Sequence, residues 1–251
     1  MAKVSIITPT YNREQFLGQT YSCVRSQTYP DLEWLILDDS KTPSKIFPAI
    51  NTADVGYEHT TQRLSVGEKR NRLVDRAKGS IIVNFDDDDF YAPTYVSTLV
   101  TALREKLADL INLRAWFLYD VRNQFFGYWD LMIEQGGPHY QCGSEGVRPM
   151  QLPPSPPGLK HTHLGFGFGW AYYKHVWSSV RYQDRDWNED GEFALTALNK
   201  NFKLAGIKDT NGVCLHILHA SNTSSCFPQY RLPDFMLPKY FPQLDIALTK
   251  I

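Results

Sequence analysis

The sequence predicts an α/β protein with a mostly parallel central sheet flanked by helices, followed by an irregular C-terminal part. Two observations carry this. Short apolar runs of strand length alternate with stretches of helical periodicity, which is the signature of βαβ units. Three of those runs end in polar or acidic residues, and the carboxyl ends of parallel strands are where such sheets open to ligands.

The elements follow in order. Val4 to Thr8 is the first apolar run and ends in Pro9-Thr10-Tyr11-Asn12. Glu14 to Gln27 carries Phe16, Thr20, Cys23 and Val24 at helical spacing. Leu32 to Leu37 is a second strand ending in Asp38-Asp39-Ser40, and Tyr57 to Thr61 is a weaker third. Val66 to Ala77 reads as a helix with Val66, Leu73, Val74 and Ala77 on one side, stopped by Gly79. Ser80 to Phe85 is the next strand and ends in Asp86-Asp87-Asp88-Asp89; Pro93 then starts a helix to about Lys106. Beyond it, Leu110 to Tyr119 and Asn123 to Trp129 form a candidate strand pair. Gln135 to Pro157, rich in Gly and Pro, reads as a long loop, and loops of that length in compact domains tend to be functional. His161 to Trp177 is dense in Gly and aromatics. Asn188 to Asn199 has a helical pattern, followed by apolar runs at Phe202 to Ile207 and Val213 to Leu218, and the Pro-rich tail from Phe227 is expected along the surface.

At 251 residues, with 43% hydrophobic and 21% charged, the chain suits one large globular α/β domain. A formal net charge of -1 gives no global field for nucleic acid or an anionic membrane. The one basic stretch, Lys69, Arg70, Arg72, Arg76 and Lys78, spreads over several faces of its helix and reads as a solvated surface. Cys23, Cys142, Cys214 and Cys226 show no CxxC pair and are expected to be free thiols in a reducing compartment. The N-terminus runs straight into a strand pattern, leaving no room for a signal peptide. No apolar run approaches the roughly 20 residues of a membrane span. The expected location is cytoplasmic, without membrane insertion.

Four consecutive aspartates after a buried strand repel one another, and some must take up a proton unless a cation sits among them. Hard carboxylate oxygens suit magnesium or manganese, which typically bind through one or two carboxylates plus substrate phosphates. The pattern therefore fits a metal bridging Asp86 and Asp88 to a diphosphate; it fits equally a solvated acidic turn ahead of the next helix. On neighbouring strand ends, Asp38 and Asp39 can accept a base imide N–H or a ribose hydroxyl, and Tyr11 can stack on a base.

These residues together resemble the family-2 glycosyltransferases. The resemblance is carried by Val4-Ser5-Ile6-Ile7-Thr8-Pro9-Thr10-Tyr11-Asn12-Arg13, Ile36-Leu37-Asp38-Asp39-Ser40, Gly67-Glu68-Lys69-Arg70-Asn71 and Ile82 through Pro93. It implies a GT-A fold, with a Rossmann-like nucleotide-binding sheet, and a nucleotide-sugar donor used with Mn2+ or Mg2+. It implies that residues 1–105 form the donor-binding half, 106–226 the acceptor-binding and catalytic half of the same domain, and 227–251 a tail. Thr8, Tyr11 and Asp39 match positions that hold uracil, with Asp38 close by, and Arg70 matches a basic position near base and diphosphate. Asp86 and Asp88 match the outer members of the DxD motif; the run of four also keeps Asp87 and Asp89 in register. The lid role of Gln135 to Pro157 is implied in the same way.

Trp187-Asn188-Glu189-Asp190-Gly191-Glu192-Phe193 is similar to the family's ED motif. The resemblance implies that Asp190 is the general base of an inverting displacement and that Glu189 orients acceptor hydroxyls. The same residues also suit an ordinary acidic helix start with Asn188 as N-cap. Many metal-dependent GT-A enzymes supply a late histidine to the metal, here His216 or His219. Phe166, Phe168 and Trp170 fall where relatives shape the acceptor pocket, and core packing is their other reading. The acceptor is a hydroxyl of a glycan, a protein side chain or a hydroxylated DNA base. Two other functions fit the same pattern: a nucleotidyltransferase, though Pro9-Thr10-Tyr11-Asn12 is not its Gly-rich loop, and a non-catalytic nucleotide- or carbohydrate-binding module. A P-loop enzyme is excluded because no GxxxxGK[ST] occurs.

Overall fold

The first half is assembled by burying mostly apolar strands under amphipathic helices. A computed structural model of the protein describes residues 1–47, 52–133, 136–143, 145–153, 164, 166–222 and 225–244. Strands β1 (Val4–Thr10), β2 (Leu32–Asp38), β3 (Val55–His59) and β4 (Ile81–Asn84) are all parallel, in the order β3-β2-β1-β4. Register brings Thr10 beside Asp38 and Ile7 beside Asn84, so the polar ends of β1, β2 and β4 share one edge. Helix α1 (Glu14–Arg25) buries Phe16, Leu17, Thr20, Cys23 and Val24, spaced as one face of a helix requires.

Helix α2 (Val66–Arg76) starts at Ser65, whose side chain accepts the Glu68 N–H at 3.1 Å, the first half of a capping box. Its buried face is Gly67, Lys69, Arg70, Leu73 and Val74. Lys69 and Arg70 are thus inside, 2% and 3% exposed, rather than on the solvated surface the sequence suggests. Their charges explain the reversal, because both face carboxylates. The remaining basic residues of that helix are also engaged: Arg72 with Glu68, and Arg76 with Glu58.

The two-residue strand β5 (Phe90–Tyr91) precedes α3 (Tyr95–Glu105). The long β6 (Leu110–Asp120) changes partners midway: antiparallel β7 (Phe125–Asp130) pairs with its second half, as the sequence predicts. Part of the stretch from Gln135 to Pro157 departs from the expected loop and forms a hairpin, β8 (Gly137–Gly143) with β9 (Gly146–Leu152); Gln135, Ser144 and residues 154–157 of that stretch lie outside the described residues. Antiparallel β10 (Trp170–Tyr173) inserts between β4 and β6, joining the parallel half to the rest. After α4 (Lys174–Ser179) and α5 (Glu189–Asn199), strands β11 (Leu204–Lys208) and β12 (Cys214–Leu218) both run parallel to β6. With β13 (Tyr230–Arg231) on β7, eleven strands join one mixed sheet among the described residues.

One apolar cluster lies under α1 and α3, the other under α2, α4 and α5. The tail corrects its expected surface course: past Phe227, Leu237 of α6 (Leu237–Tyr240) and Phe241 are 3% and 2% exposed in the first cluster. Residues 245–251 lie outside the described residues. All four cysteines are free and buried. No helix of the described residues is long and apolar enough to cross a membrane.

Gly67 is where α2 meets the segment leading to α5. Its N–H donates to the Arg185 carbonyl at 3.1 Å, and a Cβ there would lie 1.9 Å from the Gln183 carbonyl oxygen. Gly67→Ala is therefore expected to lower stability by about 1–3 kcal/mol. Gly18→Ala, in exposed α1 with nothing within 4 Å, should instead add about 0.5–1 kcal/mol. Urea unfolding of both variants reads the contrast, and equal effects would contradict this packing.

Candidate active site

A cavity of about 770 Å³ opens at the carboxyl edge of β1 and β4 and is closed on the far side by the start of α5. Its charged lining is unbalanced. Asp86, Asp87, Asp88, Asp186, Glu189, Asp190 and Glu192 face Arg13, Arg63, Lys69, Arg70 and His216, seven carboxyl groups against five basic side chains.

The four consecutive aspartates go to different partners. Asp86 receives Arg70 Nη2 at 3.3 Å. Removal from bulk water pushes its carboxyl up to about 7, against the pull of Arg70. Asp87 makes no salt bridge; burial and then the charge of Asp88 raise its pKa well above the usual carboxylate range. Burial works the same way on Asp88, but the His219 hydrogen bond and the charge of Arg13 outweigh it and hold Asp88 below that range. Asp89 is fully buried and accepts from His216 Nδ1 at 2.8 Å and from the Ile217 N–H at 2.9 Å.

The two late histidines have different surroundings. His219 Nδ1 accepts the Ser221 N–H at 3.2 Å, so its Nε2–H donates to Asp88 Oδ2 at 3.0 Å, and its ring stacks on Phe16. Both nitrogens are engaged. His216 lines the cavity, and its buried Nε2 has no oxygen or nitrogen partner among the described residues, with the Cys226 thiol beside the ring. Burial opposes its charge, yet Asp89 and then Cys226 raise its pKa well above the ordinary imidazole value.

Arg70 ties the site together. It is 3% exposed and pairs with Glu189 of α5 as well as with Asp86. Burial disfavours its charge, but Glu189 and Asp86 more than restore it. Glu189 is therefore committed to Arg70 rather than turned to an acceptor. Asp190, next in the chain, accepts the Gly191 N–H at 2.8 Å through Oδ1. Asn188 stands at the N-cap position with φ 59° and makes no side-chain capping bond. A Cβ on Gly167 would sit 2.7 Å from Arg70 Nη2 and 3.2 Å from Asp190 Oδ2, so glycine allows these two groups to close over that backbone.

At the opposite end, Asp39 is enclosed. Lys69 Nζ reaches its Oδ1 at 2.7 Å, and the Leu64 N–H and Arg63 reach Oδ2. Burial opposes its charge, but those donors hold its pKa below the usual range. Arg63 also lies 4.0 Å over the Tyr11 ring. Thr8 and Asp38 are turned away from the cavity: Thr8 Oγ1 accepts the buried Trp34 indole N–H at 2.9 Å, and Asp38 is bonded to Tyr57 and the Ser40 N–H. Trp170 is likewise no pocket residue; it is 2% exposed within the second apolar cluster. Phe166 and Phe168 do line the cavity, but as wall: Phe168 stacks on His216 at 4.7 Å and Phe166 packs on Trp116 and Trp129. Arg13, Arg63 and Trp187 also line the cavity; Arg13 and Trp187 stand at the edges of the two motif stretches without a role assigned to them there, and Arg63 lies in no motif.

Among the described residues no three His, Cys, Asp or Glu side chains already converge as a cage for a metal ion. The donors present are still of the right kind: Asp86 and Asp88 at the cavity, and His216 Nε2, which has no oxygen or nitrogen partner among the described residues and whose other nitrogen is fixed by a carboxylate. Such a carboxylate–histidine arrangement orients an imidazole toward a metal, and an ion that draws further ligands from phosphate and water needs no complete protein cage.

The architecture has solved counterparts. Staphylococcus aureus TarS in complex with UDP-GlcNAc superposes with a TM-score of 0.62 at 14% identity, covering 88% of this chain and 60% of that one. The mannosyltransferase PcManGT from Pyrobaculum calidifontis, in complex with GDP-Man and Mn2+, gives 0.60 at 14% identity, covering 86% and 56%. Both likenesses concern the fold, which is the GT-A type. In sequence, the glycosyltransferase GlyG of Streptococcus pneumoniae is 26% identical over 140 residues, 53% of this chain and 46% of that protein. The chain spans 27–50% of the length of the curated relatives it matches. The model of glycosyl transferase family 2 matches residues 5–140, over half the chain and every strand end that lines the cavity's acidic side, and the chain belongs to that family.

Proposed function

We propose that this protein is a metal-dependent inverting glycosyltransferase that moves a sugar from a nucleoside-diphosphate sugar, a UDP-sugar, to a hydroxyl acceptor. The observation that carries the reading is the charge of the cavity. Seven carboxyl groups line it with four Lys and Arg side chains and His216, and each of these basic groups is already paired with a carboxylate. A diphosphate entering this space meets no unpaired basic side chain among the described lining residues unless a cation accompanies it. The solved relatives of this fold that hold UDP-GlcNAc, or GDP-Man with Mn2+, lend the reading its donor class and its metal.

Asp86, Asp88 and His216 would hold the ion, with His219 and Arg13 keeping Asp88 charged and in place. When bound, magnesium or manganese neutralises charge building on the leaving diphosphate. Tyr11 offers its ring to the base and Asp39 its carboxylate. Arg70 faces both Asp86 and Asp190, so it sits between the leaving group and the acceptor hydroxyl. Asp190 takes the proton from that hydroxyl as it attacks the anomeric carbon from the face opposite the departing diphosphate. Glu189 holds Arg70.

Calorimetric titration with UDP, with and without manganese, is expected to give binding that requires the metal. Asp88→Ala abolishes that binding, whereas Asp190→Asn keeps it and loses sugar transfer; equal loss of binding in both would sink this division of roles. Binding is also expected to depend on pH. The metal needs an ionised Asp86, whose carboxyl is protonated below about 7 in the metal-free protein, so affinity rises as pH passes upward through 7. The sign for stability is opposite. Between about pH 4, where an unfolded Asp ionises, and about 7, the metal-free native state holds a proton that the unfolded chain has lost. Stability therefore falls with rising pH across that window, and Asp86→Asn should flatten the fall in denaturant titrations.

A further inference from the structure

Four aromatic side chains line the cavity, and three have covered faces. Tyr11 lies under Arg63 at 4.0 Å, Phe168 is stacked on His216 at an interplanar angle of 8°, and Phe166 packs against Trp116 and Trp129. The fourth, Trp187, makes no ring or cation contact among the described residues and is 73% exposed. The other five tryptophans are at most 7% exposed. An indole left open to water at the mouth of a cavity is costly, because so large an apolar face gains by being covered.

The backbone holds it there. Asn188 adopts φ 59°, a left-handed conformation that asparagine tolerates better than most residues, and it turns the chain into α5. Trp187 is thus presented two residues before Glu189 and three before Asp190. Around it, Asp190 and Glu192 line the same end of the cavity, together with apolar Leu164 and Leu195. Among the described residues that line that end no Lys or Arg is unpaired: Arg70 is committed to Asp86 and Glu189, and Arg63 to Asp39 and Asp186.

We infer that Trp187 is the stacking platform for the acceptor, and that the acceptor group bound there is a neutral sugar ring rather than a phosphorylated or otherwise anionic one. The inference rests on the glycosyltransferase reading for the word acceptor, and names the substrate class of that same site. The C–H face of a pyranose covers an indole well, and its hydroxyls donate to carboxylates such as Glu192 and Asp190. A phosphate or a nucleic-acid backbone would meet like charge, with no unpaired guanidinium or ammonium among the described lining residues to receive it.

The exposed indole is its own reporter. Acrylamide quenching of tryptophan fluorescence, in the wild type, reads Trp187 against five buried neighbours. Methyl glycosides of glucose, galactose, mannose and N-acetylglucosamine are titrated with and without UDP and manganese, alongside glucose 1-phosphate and a single-stranded oligonucleotide. Shielding by at least one neutral glycoside, and none by the phosphate or the oligonucleotide, is the expected result. In Trp187→Ala the shielding disappears, while UDP affinity stays within about twofold; where a glycoside is an acceptor its KM rises on the order of tenfold, one covered aromatic contact at about 1.4 kcal/mol. Trp187→Phe should recover most of it. The inference is overturned if no neutral glycoside shields the indole although UDP binds, if the anionic probes shield it better, or if Trp187→Ala leaves KM unchanged. Shielding by a glycoside in a protein that ignores UDP would instead overturn the glycosyltransferase reading and leave the sugar platform standing.

Discussion

Everything around the cleft answers one constraint: four carboxylates in sequence must be placed at the end of a buried strand without driving it apart. The chain meets it by giving the carboxylates different partners from different elements. Arg70 of α2 takes Asp86, His219 and Arg13 take Asp88, and His216 of β12 takes Asp89. Asp87 has no ion pair, and its carboxyl is the one most naturally neutral. The consequence is structural. Residues from the beginning, middle and end of the chain converge on the carboxyl end of β4, so the acidic side of the cavity is also a junction of the fold.

Arg70 extends that junction to the other side of the cavity. It is buried, and its two anionic partners come from β4's end and from the start of α5. A buried ion pair is weak support for stability in itself, but removing one member strands the other's charge in low dielectric. A lysine would not do the same work, because one compact ammonium cannot fork between two carboxylates as a guanidinium does. Gly167 makes room for it, and Ser65 on Asp184, the Val66 N–H on Asp186, and Gly67 on the Arg185 carbonyl hold α2 against the segment that leads into α5. The β4 end and the α5 end of the cleft are therefore set by one side chain's geometry.

This explains what could be read from the sequence and what could not. The parallel half was legible because its strands are apolar on both faces and end at polar residues, with little else in between. The second half was less so. The hairpin of β8 and β9 carries Pro138 and Pro149 and few apolar residues, and β10 is hidden inside a Gly- and aromatic-rich stretch. Side-chain direction was the other failure. Thr8, Asp38 and Trp170 were assigned to the site by position along the chain, yet strand pleating turns them inward, to Trp34, Tyr57 and the apolar cluster. Lys69 and Arg70 look like surface charges until their partners, Asp39, Asp86 and Glu189, are known, and two of those come from distant strand ends and the third from a distant helix start. Trp187 was passed over because its exposure is a property of a left-handed turn and not of any motif.

On the function proposed above, the enclosure of Asp39 also bears on which base is chosen. Its pKa is held low, so its carboxylate stays charged and both oxygens must keep donors. Lys69 and the Leu64 N–H are buried and fixed, whereas Arg63 is half exposed, so Arg63 is the donor that an incoming base displaces from Oδ2 and from the face of Tyr11. Uracil brings an imide N–H that replaces the lost hydrogen bond. Cytosine brings a lone pair at the corresponding nitrogen and leaves the oxygen unpaired or repelled, at a cost of about 1–3 kcal/mol for an unsatisfied buried group. Selectivity would then arise from an exchange of donors on one carboxylate, with Arg63 restoring the compensation each time the site empties.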